Sequence, residues 1–173
     1  MAVLTAALLS AVVGFVAIGT APASAHRLDL MKPDRAGPIV RGETTLRDLR
    51  GWFGPPTARK MIDVGCQQVI RARWSGRLTV YAYPEARTVG AIFVRSRSIT
   101  SDALGELRMH TRKGLRVGDG EGKLQRLYPR ARPIGHAQHT HYRLKEDVYG
   151  ARLMAKVVDG RVVQLEAWPL EFC

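Results

Sequence analysis

The sequence predicts an α+β domain in which two tandem α-β-β-β units form one antiparallel sheet with short helices on one face. Three observations carry that expectation. Apolar and polar residues alternate in several short runs between residues 65 and 168, the period of half-buried strands. Two segments, around Leu49 and Leu124, instead space their apolar residues three and four apart, the period of a helix. Strand-like runs follow each of them, and a shift of 75 positions places Val40, Leu49, Trp52 and Phe53 on Leu115, Leu124, Leu127 and Tyr128.

Residues 1–25 contain no Lys, Arg, Asp or Glu, and Leu8 to Ile18 is an apolar run broken only by Ser10 and Gly14. Ala23-Ser24-Ala25 then supplies the small-x-small pattern that a signal peptidase accepts, so 1–25 is expected to be a signal peptide cleaved before His26. The competing reading, a retained anchor, needs about 20 apolar residues, more than this run holds. Residues 26–38 form a polar, Pro-containing lead, 39–113 the first repeat with its linker and 114–173 the second, giving a single folded domain over 39–173.

In the first repeat, Thr45 with Asp48 makes a capping box, Leu49, Trp52 and Phe53 share a face, and Gly54-Pro55-Pro56 stops the helix. Strands are expected over Gly65 to Arg73, Trp74 to Ala82 and Val89 to Ser98. Thr100 to Lys113, around Leu104, Leu107 and Met109, links the halves. In the second repeat Asp119 is the expected N-cap, Leu124, Leu127 and Tyr128 the apolar face, and Pro129 the stop. Strands then follow at His139 to Leu144, Tyr149 to Val157 and Arg161 to Trp168, the last two joined by the hairpin signal Asp159-Gly160.

Lys and Arg number 27 against 15 Asp and Glu, and the whole formal charge of +12 falls beyond residue 25. A basic exported domain favours anionic partners such as wall polymers, lipid headgroups, acidic protein surfaces or nucleic acid. Export makes nucleic acid the least fitting of them, and no base-reading motif accompanies the charge. The two cysteines, Cys66 and Cys173, both lie in the exported part, and an even count in an oxidising compartment argues for one bridge between them. Closing a loop of about a hundred residues would contribute about 4–5 kcal/mol by the chain-entropy argument.

The Thr45 cap, the Asp48-Leu49 to Phe53-Gly54-x-Pro helix and the Trp-containing strand meander, repeated loosely at Asp119, Leu124 and Tyr128, resemble the β-lactamase inhibitory protein fold. They are also similar to the small exported domains of the outer-membrane assembly lipoprotein type. The resemblance spans about residues 37–173 and implies that fold and a habit of protein binding through the open sheet face. The chain departs from the inhibitor in its basic balance and its single cysteine pair, so inhibition of a β-lactamase does not transfer.

The strand pattern names that face independently. Leu78, Val80 and Ala82 alternate with Thr79, Tyr81 and Tyr83; Ile92 and Val94 alternate with Phe93, Arg95 and Arg97. Leu153, Ala155 and Val157 alternate with Met154, Lys156 and Val158, and Val163, Leu165 and Ala167 with Gln164, Glu166 and Trp168. Since strand side chains recur with period two, the aliphatic set should meet the helices and the other set should face outward. Tyr81, Tyr83, Phe93, Arg95, Lys156 and Trp168 are therefore the candidate binding face, unless these aromatics fill a second core layer. A second candidate is a basic ridge for anionic ligands, comprising Arg112, Lys113, Lys123, Arg126 and Arg130.

No catalytic constellation emerges. Ser75 and Ser101 lack a nucleophile elbow, and Asp48, Asp63 and Asp119 sit near helix ends, where a carboxylate caps. Gly118 to Gly122 carries two acids and lacks the Gly-Lys-Ser/Thr ending of a phosphate loop. His139 and His141 share a strand face and, with His136, could form half a metal site, but no carboxylate lies within the cluster; His26 could chelate copper at a new amino terminus. No metal and no cofactor are expected. Two readings follow: a secreted, non-enzymatic module that recognises an extracytoplasmic protein, as an inhibitor or envelope assembly factor, and a basic envelope protein held by anionic polymers or lipids. A hydrolase ranks third.

Overall fold

A computed structural model of the chain describes residues 29–136, 139–146 and 150–168. The expected signal peptide and its cleavage site lie outside these residues. The stretch from Asp29 to Pro38, expected as a lead outside the folded domain, is instead part of it. Strands β1 (Leu30–Lys32), β2 (Arg35–Ala36) and β3 (Ile39–Val40) form a small sheet, and Met31, Ala36 and Ile39 are buried at its centre. Single apolar residues in a polar run carry no period, which is why this segment reads as a lead.

Helix α1 (Leu46–Phe53) starts at the expected capping box. The Thr45 hydroxyl accepts from the Asp48 amide at 3.2 Å, and Asp48 Oδ2 accepts from the Thr45 amide at 2.9 Å. Two amides that a helix start leaves open are thereby satisfied. Gly54 ends the helix at φ 69°, a left-handed conformation that costs glycine little. Strands β4 (Ala58–Val64), β5 (Gln67–Trp74), β6 (Leu78–Ala82) and β7 (Val89–Val94) follow as an antiparallel meander. Ser75 occupies the β5–β6 turn at φ 46°.

The linker is ordered as a hairpin of β8 (Ile99–Ser101) and β9 (Gly105–Leu107), then β10 (His110–Thr111), which pairs in parallel with β1. Helix α2 (Glu121–Leu127) has Gly120, not Asp119, at its N-cap and makes no side-chain cap there. The Asp119 carboxylate binds the Arg116 amide at 2.8 Å and Lys123 Nζ at 2.8 Å, so it fastens the preceding turn instead. Strands β11 (Arg132–His136), β12 (His139–Glu146), β13 (Arg152–Val158) and β14 (Arg161–Trp168) follow. Asp159 and Gly160 take φ values of 48° and 68° between β13 and β14, the paired left-handed geometry that the hairpin signal specifies.

Among the described residues the eight long strands form one antiparallel sheet in the order β11-β12-β13-β14-β7-β6-β5-β4. The seam between the halves is β14 against β7, with Leu165 opposite Val94 and Ala167 opposite Ile92. Each helix is thus followed by four strands of this sheet, one more than expected. The missing ones, β4 and β11, lie at the sheet edges, where most described residues are at least partly exposed and alternation fades. Pro133 in β11 also removes a ladder donor, a loss that an edge strand tolerates.

Leu49 and Leu124, both 0% exposed, pack in one cluster with Leu78, Val80, Leu153, Ala155 and Leu165, so both helices lie on one face of the sheet. Each fully buried aliphatic side chain contributes about 1.5–3 kcal/mol. One expected core position is different. Val157 pairs with Val162 while Lys156 pairs with Gln164, leaving Val163 in a bulge. Val162 is therefore buried in the core and Val163 is exposed.

Candidate binding face

The side chains that alternate with this core point to the opposite face, where a second, smaller cluster forms. It contains Val69, Ala91 and Phe93, with Ile62, Val64, Tyr81, Tyr83 and Trp168 packed against it. Strand register builds its centre: Arg73 stands opposite Thr79, Thr79 opposite Phe93, Phe93 opposite Glu166, and Glu166 opposite Met154. Tyr81 lies 4.7 Å from Phe93 and 6.0 Å from Trp168 between ring centroids, and Phe93 lies 5.2 Å from Trp168. Tilted and edge-on contacts of this kind add about 0.5–1.5 kcal/mol per pair beyond burial.

Not all of the candidate face is surface. Phe93, expected outward with the others, is only 6% exposed, whereas Tyr81, Tyr83 and Trp168 are half-buried. The reason is its place in β7, a central strand with the larger rings of β6 and β14 beside it. Tyr83 packs over Gly90, where a Cβ would come within 3.0 Å of the ring, so only glycine fits without displacing it. The ladder shifts by one residue here, with Tyr81 opposite Ala91 but Ala82 opposite Val89.

Around the rings lies an open depression of about 380 Å³, walled by Arg71 and Arg73 on one side and by Arg152, Lys156 and Arg95 on the other. Arg95 Nε donates to Gln164 Oε1 at 2.5 Å, and Gln164 Nε2 donates to Glu166 Oε1 at 2.7 Å. His141 Nε2 stands 3.2 Å from the same Glu166 oxygen. Five cations thus line the depression with one carboxylate, and that carboxylate is buried and already engaged. Thr79 Oγ1 and Arg73 Nε, by contrast, are buried with no hydrogen-bond partner. Sequence reasoning placed Arg95 and Lys156 here but missed Arg71, Arg73, Arg152 and His141. Period two marks Arg71 and Arg73 as one face of β5; only the register says which face.

The expected basic ridge is partly used up by the fold. Lys123 is paired with Asp119, and Lys113 Nζ donates to the Leu127 carbonyl at 2.8 Å while lying 4.9 Å from the centroid of the Tyr128 ring. Burial raises the Asp119 pKa, yet hydrogen bonds from Lys123 and the Arg116 amide, with the Lys123 and Arg97 charges, outweigh it and hold the carboxyl below its usual value. Arg112, Arg126 and Arg130 are exposed. A more concentrated cationic surface, which sequence reasoning did not pick out, surrounds a depression of about 600 Å³ beside α1, where Arg47, Arg50, Arg59 and Arg87 converge from α1, β4 and the β6–β7 turn. Adjacent Asp48 is held below its usual pKa first by the Thr45 amide, then by the Thr45 hydroxyl.

His139 and His141 do share a face of β12, with ring centroids 4.9 Å apart. Among the described residues no three His, Cys, Asp or Glu side chains converge on a metal-sized site. Cys66 occupies the exposed β4–β5 turn; its expected partner Cys173 lies outside the described residues. Among the described residues no helix is long and apolar enough to cross a membrane.

No protein-family model matches the chain, and no curated protein sequence matches it. Three solved structures resemble it. An extracellular protein containing an SCP domain from Bacillus anthracis shares 9% identity over 79% of this chain and 46% of its own, at a TM-score of 0.44. A DUF4309 family protein from Bacillus subtilis shares 13% identity over 83% of this chain and 88% of its own, at a TM-score of 0.43. A candidate β-lactamase inhibitor protein from Streptococcus mutans shares 12% identity over 80% of this chain and 88% of its own, at a TM-score of 0.29. The chain spans about half the length of the first of these. With every TM-score below 0.5, none of them bears on function.

Proposed function

We propose that this chain is an exported, non-enzymatic binding module that holds another protein against the open face of its sheet. The observation that supports this reading is the aromatic cluster of Tyr81, Phe93 and Trp168 set in a depression walled by five cations. Aromatic residues and Arg are the types that anchor protein interfaces, and the half-buried rings of Tyr81 and Trp168 pack on buried Phe93. On the same reading the two halves are tandem copies in which Leu49 and Leu124 hold equivalent places, Cys66 is bridged to Cys173, and an inhibitor or envelope assembly factor is the functional class.

The test is paired. Partners captured from the exported proteome are identified with the native chain, and each purified partner is then titrated against the native protein and against Tyr81→Ala and Trp168→Ala. Truncating an anchor weakens such binding by about 2 kcal/mol or more. Unweakened binding by both folded variants overturns the reading. A second reading, a basic envelope protein held by anionic polymers, draws on the convergence of Arg47, Arg50, Arg59 and Arg87. Salt separates the two, because adhesion to exposed charges falls steeply with ionic strength whereas an aromatic-centred interface persists.

A further inference from the structure

The proposed sheet-face reading leaves open what chemistry the partner presents, and two buried atoms address that question. Thr79 is 2% exposed, and its Oγ1 has no hydrogen-bond partner; Arg73 Nε, directly across the β5–β6 ladder, has none either. Both side chains line the depression. A buried polar atom without a partner costs about 1–3 kcal/mol, so a fold that keeps two side by side carries a local penalty that a ligand would relieve. Both atoms can donate: the guanidinium Nε–H has no other role, and the hydroxyl rotates to suit its acceptor. The missing partner is therefore an acceptor.

Charge says which kind. The wall of Arg71, Arg73, Arg95 and Lys156 faces the depression with Glu166, and Glu166 is already bound by Gln164 and His141, so the field favours an incoming anion. Phe93, on the other side of Thr79 in the ladder, lowers the local dielectric and strengthens a charge-assisted hydrogen bond. We infer that Arg73 Nε–H and Thr79 Oγ1–H receive a carboxylate of the docked protein, an Asp or Glu side chain on an acidic segment whose apolar part rests on Tyr81 and Trp168. This inference rests on the sheet-face reading and specifies the partner as an acidic polypeptide.

The experiment titrates the full exported chain with a short oligoglutamate peptide, with oligoglutamine of equal length and with inorganic polyphosphate. Affinity is read by calorimetry, and the Arg73 Nε–Hε resonance by NMR. Oligoglutamate should bind and shift that resonance, and oligoglutamine should do neither. Thr79→Val, nearly isosteric, should weaken oligoglutamate binding about tenfold while leaving thermal stability unchanged or raised, since it removes the orphaned hydroxyl; Arg73→Gln should weaken binding at least as much. Oligoglutamate binding unchanged in both folded variants overturns the inference, as does polyphosphate binding more tightly than oligoglutamate with the same resonance shift. If the carboxylate test fails while Tyr81→Ala and Trp168→Ala still lose their partner, the inference falls and the sheet-face reading stands. If oligoglutamate binding depends on Thr79 and partner binding ignores both rings, the anion site is supported and the docking reading falls.

Discussion

Truncating Phe93 to Ala tests whether the aromatic cluster has a base and a surface, as its exposures indicate. The ring is 6% exposed and loses two partners at once, Tyr81 at 4.7 Å and Trp168 at 5.2 Å. Phe to Ala in a close-packed site costs about 3–5 kcal/mol, because the transfer free energy of the ring is lost and a cavity remains. The two ring pairs, each contributing about 0.5–1.5 kcal/mol, place this site in the upper part of that range. Phe93→Leu keeps most of the volume and loses mainly the ring pairs, so about 1–2 kcal/mol is expected. Tyr81→Ala starts from a half-buried ring and should cost about 1–2 kcal/mol. Urea unfolding followed by circular dichroism measures all three, and for a chain of this size the Phe93→Ala loss corresponds to a fall in Tm of about 10 °C. A Phe93→Ala loss under about 1 kcal/mol, or a Tyr81→Ala loss as large as that of Phe93→Ala, would refute the division of the cluster into a buried base and accessible anchors.

Acid should destabilise the domain through Asp48 and Asp119. Both carboxyls titrate below their usual value of 3.8 in the folded state, so their contribution is full above that value and disappears as pH falls through the lower folded values. Thr45→Ala should remove only the hydroxyl's share of the Asp48 dependence, leaving the larger share that comes from the residue-45 amide, along with about 1 kcal/mol of stability at neutral pH, measured by unfolding across an acid series. Mass spectrometry of the exported protein checks its processing: intact mass should give a chain starting at His26, and non-reducing peptide mapping should join the Cys66 and Cys173 peptides. An intact Met1, or quantitative alkylation of both thiols in the native protein, would remove those two proposals.

Features that depend on near neighbours are legible in the chain's own residues. Thr45, Asp48 and Gly54 define the ends of α1 because capping and the left-handed stop are settled within four residues. The turn at Asp159 and Gly160 was legible because its backbone geometry selects its residues. Alternation likewise placed Tyr81, Phe93 and Trp168 on one side of the sheet, since period two needs no knowledge of partners. The remaining features come from contacts between distant strands. Strands β4 and β11 show little alternation because they pair on one edge only, and the β13–β14 bulge exchanged Val162 for Val163 through a register that no local pattern encodes. That Phe93 is covered while Tyr81 and Trp168 are only half so follows from the strands that flank it, as does the convergence of Arg73, Thr79, Arg152 and Lys156 from three strands on one depression. A strand's own residues specify which side chains share a face; only pairing specifies what those side chains meet.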